Sequence, residues 1–108
     1  MPGPGTTEEA LKWIQESVEA GRFRTAIHFD QRLQERKFDM FDVFKAIASP
    51  TGIEPYAKGI CAHGGTGWRV FGLDVDGERR LAVGVEAFLD KHKRRVLCCT
   101  VIDLEKES

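Results

Sequence analysis

The stretch from Trp68 to Ile102 constrains the fold more than any other part of the chain. It divides into three extended runs, Trp68–Val75, Arg80–Phe88 and Arg95–Ile102, separated by two short polar breaks. In the middle run Leu81, Val83 and Val85 share one face. Asp76-Gly77 between the first two runs is a strong hairpin signal, because both residue types accept the left-handed backbone of a tight strand-reversing turn. Asp90–Lys93 forms the second turn. Consecutive strands with short connections predict an antiparallel three-stranded meander at the C-terminal end.

The front half has a different period. Thr6 and Glu9 have capping-box spacing, and Glu8 and Glu9 suit the positive end of a helix dipole. Leu11, Ile14 and Val18 then recur at helical spacing, with Ala10 and Trp13 beside them, and Gly21 is a C-terminal stop. The first helix is expected over about residues 7–20. Residues 22–28 alternate and read as a short extended segment. Phe29 and Leu33, four apart, predict a second helix over 29–37. Asp39 caps a third, whose apolar face is Phe41, Val43, Phe44 and Ile47, and Ser49-Pro50 ends it. Residues 50–67 hold seven of the fifteen prolines and glycines and read as a long loop, with a short strand near Ile53–Lys58. Helices first and strands after give an α+β class, with N-terminal helices packed on one face of a small antiparallel sheet. The expected organisation is a flexible lead over 1–6, one domain over 7–103 and a tail over 104–108. A chain of 108 residues has room for one core, and folding at this size buries roughly two thirds of the unfolded surface.

Composition removes several function classes. Charged residues make up 31% of the chain, and no apolar run approaches the length a membrane-spanning helix needs. No basic region followed by an apolar run opens the chain, so a cytoplasmic protein with reduced thiols is expected. Three cysteines are too few for a disulfide scaffold. Sixteen basic against seventeen acidic residues disfavour a dedicated nonspecific nucleic-acid binder. The charge is segregated, however: basic residues crowd 22–37, and Lys91, Lys93, Arg94 and Arg95 fall in a stretch without an acid.

The segment HFDQRLQERKFDMFDVFKAI, residues 28–47, carries the main functional signal. On a helix His28, Arg32 and Glu35 share a face, and Arg36 lies a turn beyond Arg32. This text resembles a family of small bacterial domains of unknown function, related to the RelE/BrnT-like toxin fold. Its helix runs H-A-x-x-R-x-x-E-R-G-I-x-x-x-D-V-x-x-A-I. His28, Arg32, Glu35, Arg36, Asp42, Val43, Ala46 and Ile47 match that pattern. Phe29 replaces the usual small residue, and Lys37-Phe38 replaces Gly-Ile. The likeness extends over about residues 25–102.

The resemblance implies a RelE-like fold and a toxin-like protein acting on RNA, as a metal-independent endoribonuclease without cofactor. RNA is then the substrate, free or on the ribosome, and an antitoxin protein is the expected partner. RNA cleavage needs a base for the 2′-OH proton, cations for the charged phosphorane and an acid for the leaving oxygen. On the resemblance, His28 is the base or acid, and Arg32 and Arg36 are the transition-state contacts. Arg69, Lys37, Arg95 and Trp68 are the expected RNA contacts, and Glu35 orients an arginine. The competing expectation is a non-enzymatic protein-binding module of the same fold, dimerising through a sheet edge or the first helix.

Two other groupings are weaker. Cys61, His63, Cys98 and Cys99 lack the paired spacing of a structural zinc site, and neighbouring strand residues point to opposite faces, so no metal is expected. His63-Gly-Gly-Thr-Gly67 lacks the lysine and following helix of a phosphate loop and reads as a turn ahead of Trp68. Tyr56, Phe71 and Phe88 join Trp68 as aromatic residues able to stack on bases.

Overall fold

The caps seen in the sequence place the helices. A computed structural model describes residues 3–56 and 63–105. Helix α1 (Thr7–Glu19) begins where the Thr6 hydroxyl accepts the Glu9 N–H at 3.2 Å, and it buries Ala10, Trp13, Ile14 and Ser17. Strand β1 (Phe23–Thr25) follows. Helix α2 (Phe29–Arg36) is short and buries only Phe29 and Leu33. Helix α3 (Met40–Ala48) opens with a reciprocal capping box. Asp39 Oδ1 accepts the Phe41 and Asp42 N–H groups at 2.9 and 3.2 Å, and Asp42 Oδ2 accepts the Asp39 N–H at 2.9 Å.

Strands β2 (Gly52–Pro55), β3 (Thr66–Leu73), β4 (Arg80–Asp90) and β5 (Lys93–Asp103) complete a five-stranded sheet of order β1-β5-β4-β3-β2. The α+β class and the C-terminal meander are as expected. The sheet is mixed, however, and not purely antiparallel, because β1 runs parallel to β5 with Phe23 opposite Val96 and Thr25 opposite Cys98. The reason lies in backbone satisfaction. The outer edge of β5 would otherwise carry unpaired polar groups. The segment after α1 supplies partners, with Val96 N–H on the Arg22 carbonyl at 3.2 Å and Ala26 N–H on the Cys98 carbonyl at 2.8 Å.

The three helices contribute to one apolar cluster on a single sheet face. Trp13 and Ile14 from α1, Phe29 and Leu33 from α2, and Val43 and Ile47 from α3 meet Val70, Val83, Val85, Val96 and Val101 there. Gly72 lets α3 lie directly on β3, since a Cβ at that position would sit 2.6 Å from Ala46 Cα. Arg79 ties the loop side of this layer together. It donates to the Arg36 and Lys37 carbonyls at 2.7 and 2.9 Å and to Asp103 at 2.8 Å, and its guanidinium lies 3.9 Å from the centre of the Phe38 ring. The lead is not free from residue 3 onward: Pro4 is fully buried and its carbonyl accepts the Thr66 hydroxyl at 2.8 Å. At the other end Leu104 N–H still bonds the Arg80 carbonyl, at 3.1 Å. No helix among the described residues is long and apolar enough to cross a membrane.

Candidate active site

The helix layer covers one sheet face, and the other face, although Ala82, Glu86 and Phe88 are buried on it, holds the candidate site. Strand alternation sends Arg69 and Phe71 of β3, Ala82, Gly84, Glu86 and Phe88 of β4, and Arg95 and Leu97 of β5 toward that face. The register makes these residues neighbours: Glu86 is opposite Leu97, Phe88 opposite Arg95, and Arg24 of β1 opposite Leu97.

The site residues expected from the sequence divide between the two sides. His28 is the N-cap residue of α2, exposed, with no capping bond from its side chain. Arg32 and Arg36 approach the same Glu35 carboxylate oxygen, at 3.4 and 3.6 Å. This edge belongs to the outside of the helix layer, and none of its three residues lines the clefts described below. Lys37 is exposed at the end of α2 in the left-handed region, φ 57°. Arg69 is on the sheet face away from the helices, but it pairs with Glu54 and lies 5.0 and 5.2 Å from the Tyr56 and Phe71 ring centres. The expectation that Trp68 stacks on RNA is corrected. Trp68 is 4% exposed and packs in the core in phase with Val70, its Nε1 donating to Thr66 Oγ1 at 2.7 Å. Cys61 lies outside the described residues.

Arg95 enters a cleft that the sequence reading did not assemble. The space is about 380 Å³ and is bounded by Arg22, Arg24, His63, Phe88, Asp90 and Arg95, among others. Its cations come from the loop before β1, from β1 itself and from β5. Arg95 Nε is buried and 3.0 Å from Asp90 Oδ2, but it is not aligned for a hydrogen bond. Arg24 forms no ion pair among the described residues.

His63 is fixed in this cleft from two directions. Its ring packs on Phe88, with centroids 4.5 Å apart and planes at 36°. Behind it stands Glu86, fully buried. A buried carboxylate is tolerable only when its oxygens are satisfied. Here Glu86 accepts the His63 N–H at 3.0 and 3.1 Å and the Gly65 N–H at 2.8 Å. The same carboxylate is 3.5 Å from His63 Nδ1. Glycine at 65 is required, because a Cβ there would overlap the Ala87 carbonyl oxygen. The result is an imidazole with nearly half of its side-chain surface open, backed by an acid and facing arginines.

Sequence reasoning noticed His63 only as part of a glycine-rich turn and passed over Glu86. The available signal was an acid inside an otherwise apolar run, at the position opposite in parity to Val83 and Val85. Comparison with protein-family models, curated proteins and solved structures finds no match to this chain.

Proposed function

We propose that the chain acts on RNA as a toxin-like, metal-independent endoribonuclease, with the cleft between β1, β4 and β5 as its reaction site. The observation that supports this reading is the His63–Glu86 pair opening onto Arg22, Arg24 and Arg95. An imidazole exchanges a proton near neutral pH, and guanidinium groups match phosphate oxygens. In this scheme His63 takes the proton of the 2′-OH as that oxygen attacks the adjacent phosphorus. Arg24 and Arg95 stabilise the charge on the pentacoordinate phosphorane. The bond to the 5′-oxygen breaks, water protonates the leaving oxygen, and the products are a 2′,3′-cyclic phosphate and a 5′-hydroxyl end. Glu86 touches no substrate and serves as the positioning residue. His28, Arg32 and Arg36 have no part in the chemical step. An antitoxin partner would act by covering the cleft's cations.

The test is cleavage of a labelled single-stranded RNA by the wild type and by His63→Ala, Arg24→Ala and His28→Ala. Removing a general base is expected to cost roughly 10²–10⁴ in rate, so His63→Ala should fall by that much, while His28→Ala keeps its activity. Wild-type protein that leaves RNA intact, or His63→Ala that cleaves at full rate, overturns the assignment.

One observation favours the second reading, a non-enzymatic binding module. Arg69 is paired with Glu54 and Arg95 contacts Asp90, so two of the arginines on the sheet face already have acidic neighbours. On that reading the wild type binds a protein partner or a second copy of itself and cleaves no RNA.

A further inference from the structure

The β4–β5 hairpin beyond the cleft has features that folding alone does not ask for. Its two turn residues, Lys91 and His92, both lie in the left-handed region, at φ 52° and 69°. Turns of this kind favour Asn and Gly, which adopt that backbone at little cost. Here a lysine and a histidine stand in their place. Lys93 and Arg94 follow directly. Strained turn residues persist where the surrounding structure holds them, and they cluster at functional sites.

The base of the hairpin is held firmly while its tip is open. Trp13 Nε1 donates to the Arg95 carbonyl at 3.1 Å. Ser17 Oγ and Arg22 Nε both donate to the Arg94 carbonyl, at 3.3 and 3.0 Å. A second hollow of about 320 Å³ is bounded by Arg22, His92, Lys93 and Arg94. Arg22 also bounds the reaction cleft. The two spaces therefore share a cation, Arg22, which links the cleft that Arg24 and Arg95 bound to the hollow at the hairpin. The acids that face these cations are few. Asp90 contacts Arg95 at 3.0 Å and Glu16 stands 3.9 Å from Arg94, whereas Lys91, His92 and Lys93 form no ion pair among the described residues.

We infer that the Lys91–Arg94 hairpin is a second phosphate-binding subsite, which grips the backbone of single-stranded RNA beyond the nucleotide held in the cleft. This rests on the RNA-acting reading of the same face. A cleft of about 380 Å³ matches a single small-molecule-sized group, so one nucleotide enters and the flanking strand must run across the surface. The shared Arg22 sets the direction in which it leaves. Efficient substrates are then oligonucleotides long enough to reach both spaces, and a dinucleotide uses the cleft alone.

The experiment compares uridine dinucleotide and decanucleotide on the wild type, the double variant Lys91→Ala/Lys93→Ala, and Lys91→Gly. Readouts are cleavage rate, the salt dependence of decanucleotide affinity, and melting temperature. Each lost phosphate contact on a single strand lowers the slope of log K against log salt by about 0.7, so the double variant should lose about 1.4. Its dinucleotide rate should match the wild type. Lys91→Gly relieves the positive φ and should melt higher, yet it should bind the decanucleotide with a slope lower by about 0.7. An unchanged slope in both variants, with normal cleavage, overturns the subsite and leaves the reaction site intact. Binding without cleavage, with the expected fall in slope, overturns the ribonuclease reading and supports the subsite. A wild type that binds no RNA overturns both.

Discussion

Glu86 holds His63 at both ends: its carboxylate accepts the residue's backbone N–H at 3.0 and 3.1 Å and lies 3.5 Å from the ring's Nδ1. The loop and the imidazole therefore share one buried anchor. Glu86→Gln retains an accepting oxygen but turns an amide toward donors that need an acceptor. Leaving a buried donor unsatisfied costs about 1–3 kcal/mol, and a stability loss of that size is expected from chemical denaturation. RNA cleavage should fall with it, in kcat more than in KM, because the base is displaced while the cleft arginines remain.

Much of the fold was legible in the sequence, and little of the His63–Glu86 arrangement was. Thr6 and Asp39 marked helix starts because a hydroxyl or carboxylate can satisfy the first free N–H groups of a helix, and both do so. Alternation located the three C-terminal strands to within two residues at each end. Its parity also put Trp68 in phase with Val70, which is why a residue read as a base-stacking platform is in the core. Other features had no local signal. A three-residue strand has no period, so the parallel pairing of β1 with β5 is set only when the chain returns 73 residues later. Helical spacing put Arg32 and Glu35 on one face, as their contact shows, whereas His28 precedes the helix as its N-cap. It could not say whether that face looks into a cleft or onto the outside of the helix layer. The His63–Glu86 pair joins a glycine-rich loop to a strand 23 residues away, a contact that only the tertiary structure makes.

Lys37 is the C-cap of α2 and has φ 57°, a conformation that costs an L-residue with a Cβ roughly 1–2 kcal/mol. Lys37→Gly should therefore raise stability by about 1 kcal/mol, read as an increased denaturant midpoint with an unchanged slope. Its carbonyl still accepts from Arg79, so the turn between α2 and α3 is retained. A destabilised variant would mean that the lysine side chain contributes more than its backbone costs.

Gly72 tests the close contact of α3 with the sheet. In Gly72→Ala the new Cβ would meet Ala46 Cα at 2.6 Å and Cβ at 2.7 Å. Both neighbours belong to a helix packed on the sheet, so relief requires α3 to move. Overpacking of this kind costs about 1–3 kcal/mol, and thermal melting should show it. The cleft lies on the other sheet face, so cleavage by the remaining folded protein should be unchanged at a temperature well below the transition.

The pH dependence of stability follows from Asp74. Burial works against its charge. The Glu78 and Arg79 N–H groups, the Arg79 guanidinium and the Gly77 N–H outweigh that effect and hold the carboxyl below its ordinary 3.8. Two of these bonds are explicit, at 2.9 Å from Glu78 N–H and 3.2 Å from Arg79 N–H. A depressed folded-state value means that the ionised side chain stabilises the fold fully above the unfolded-state value near 3.8, and that this contribution is lost as pH falls through the folded value below it. Asp74→Asn removes the charge at every pH. The variant should therefore unfold at lower urea than the wild type at pH 7, and the gap between the two midpoints should close as the pH is taken below 3.8. A gap that stays constant down to the acid limit would show that the turn is held by hydrogen-bond geometry alone and that its charge contributes nothing to the fold.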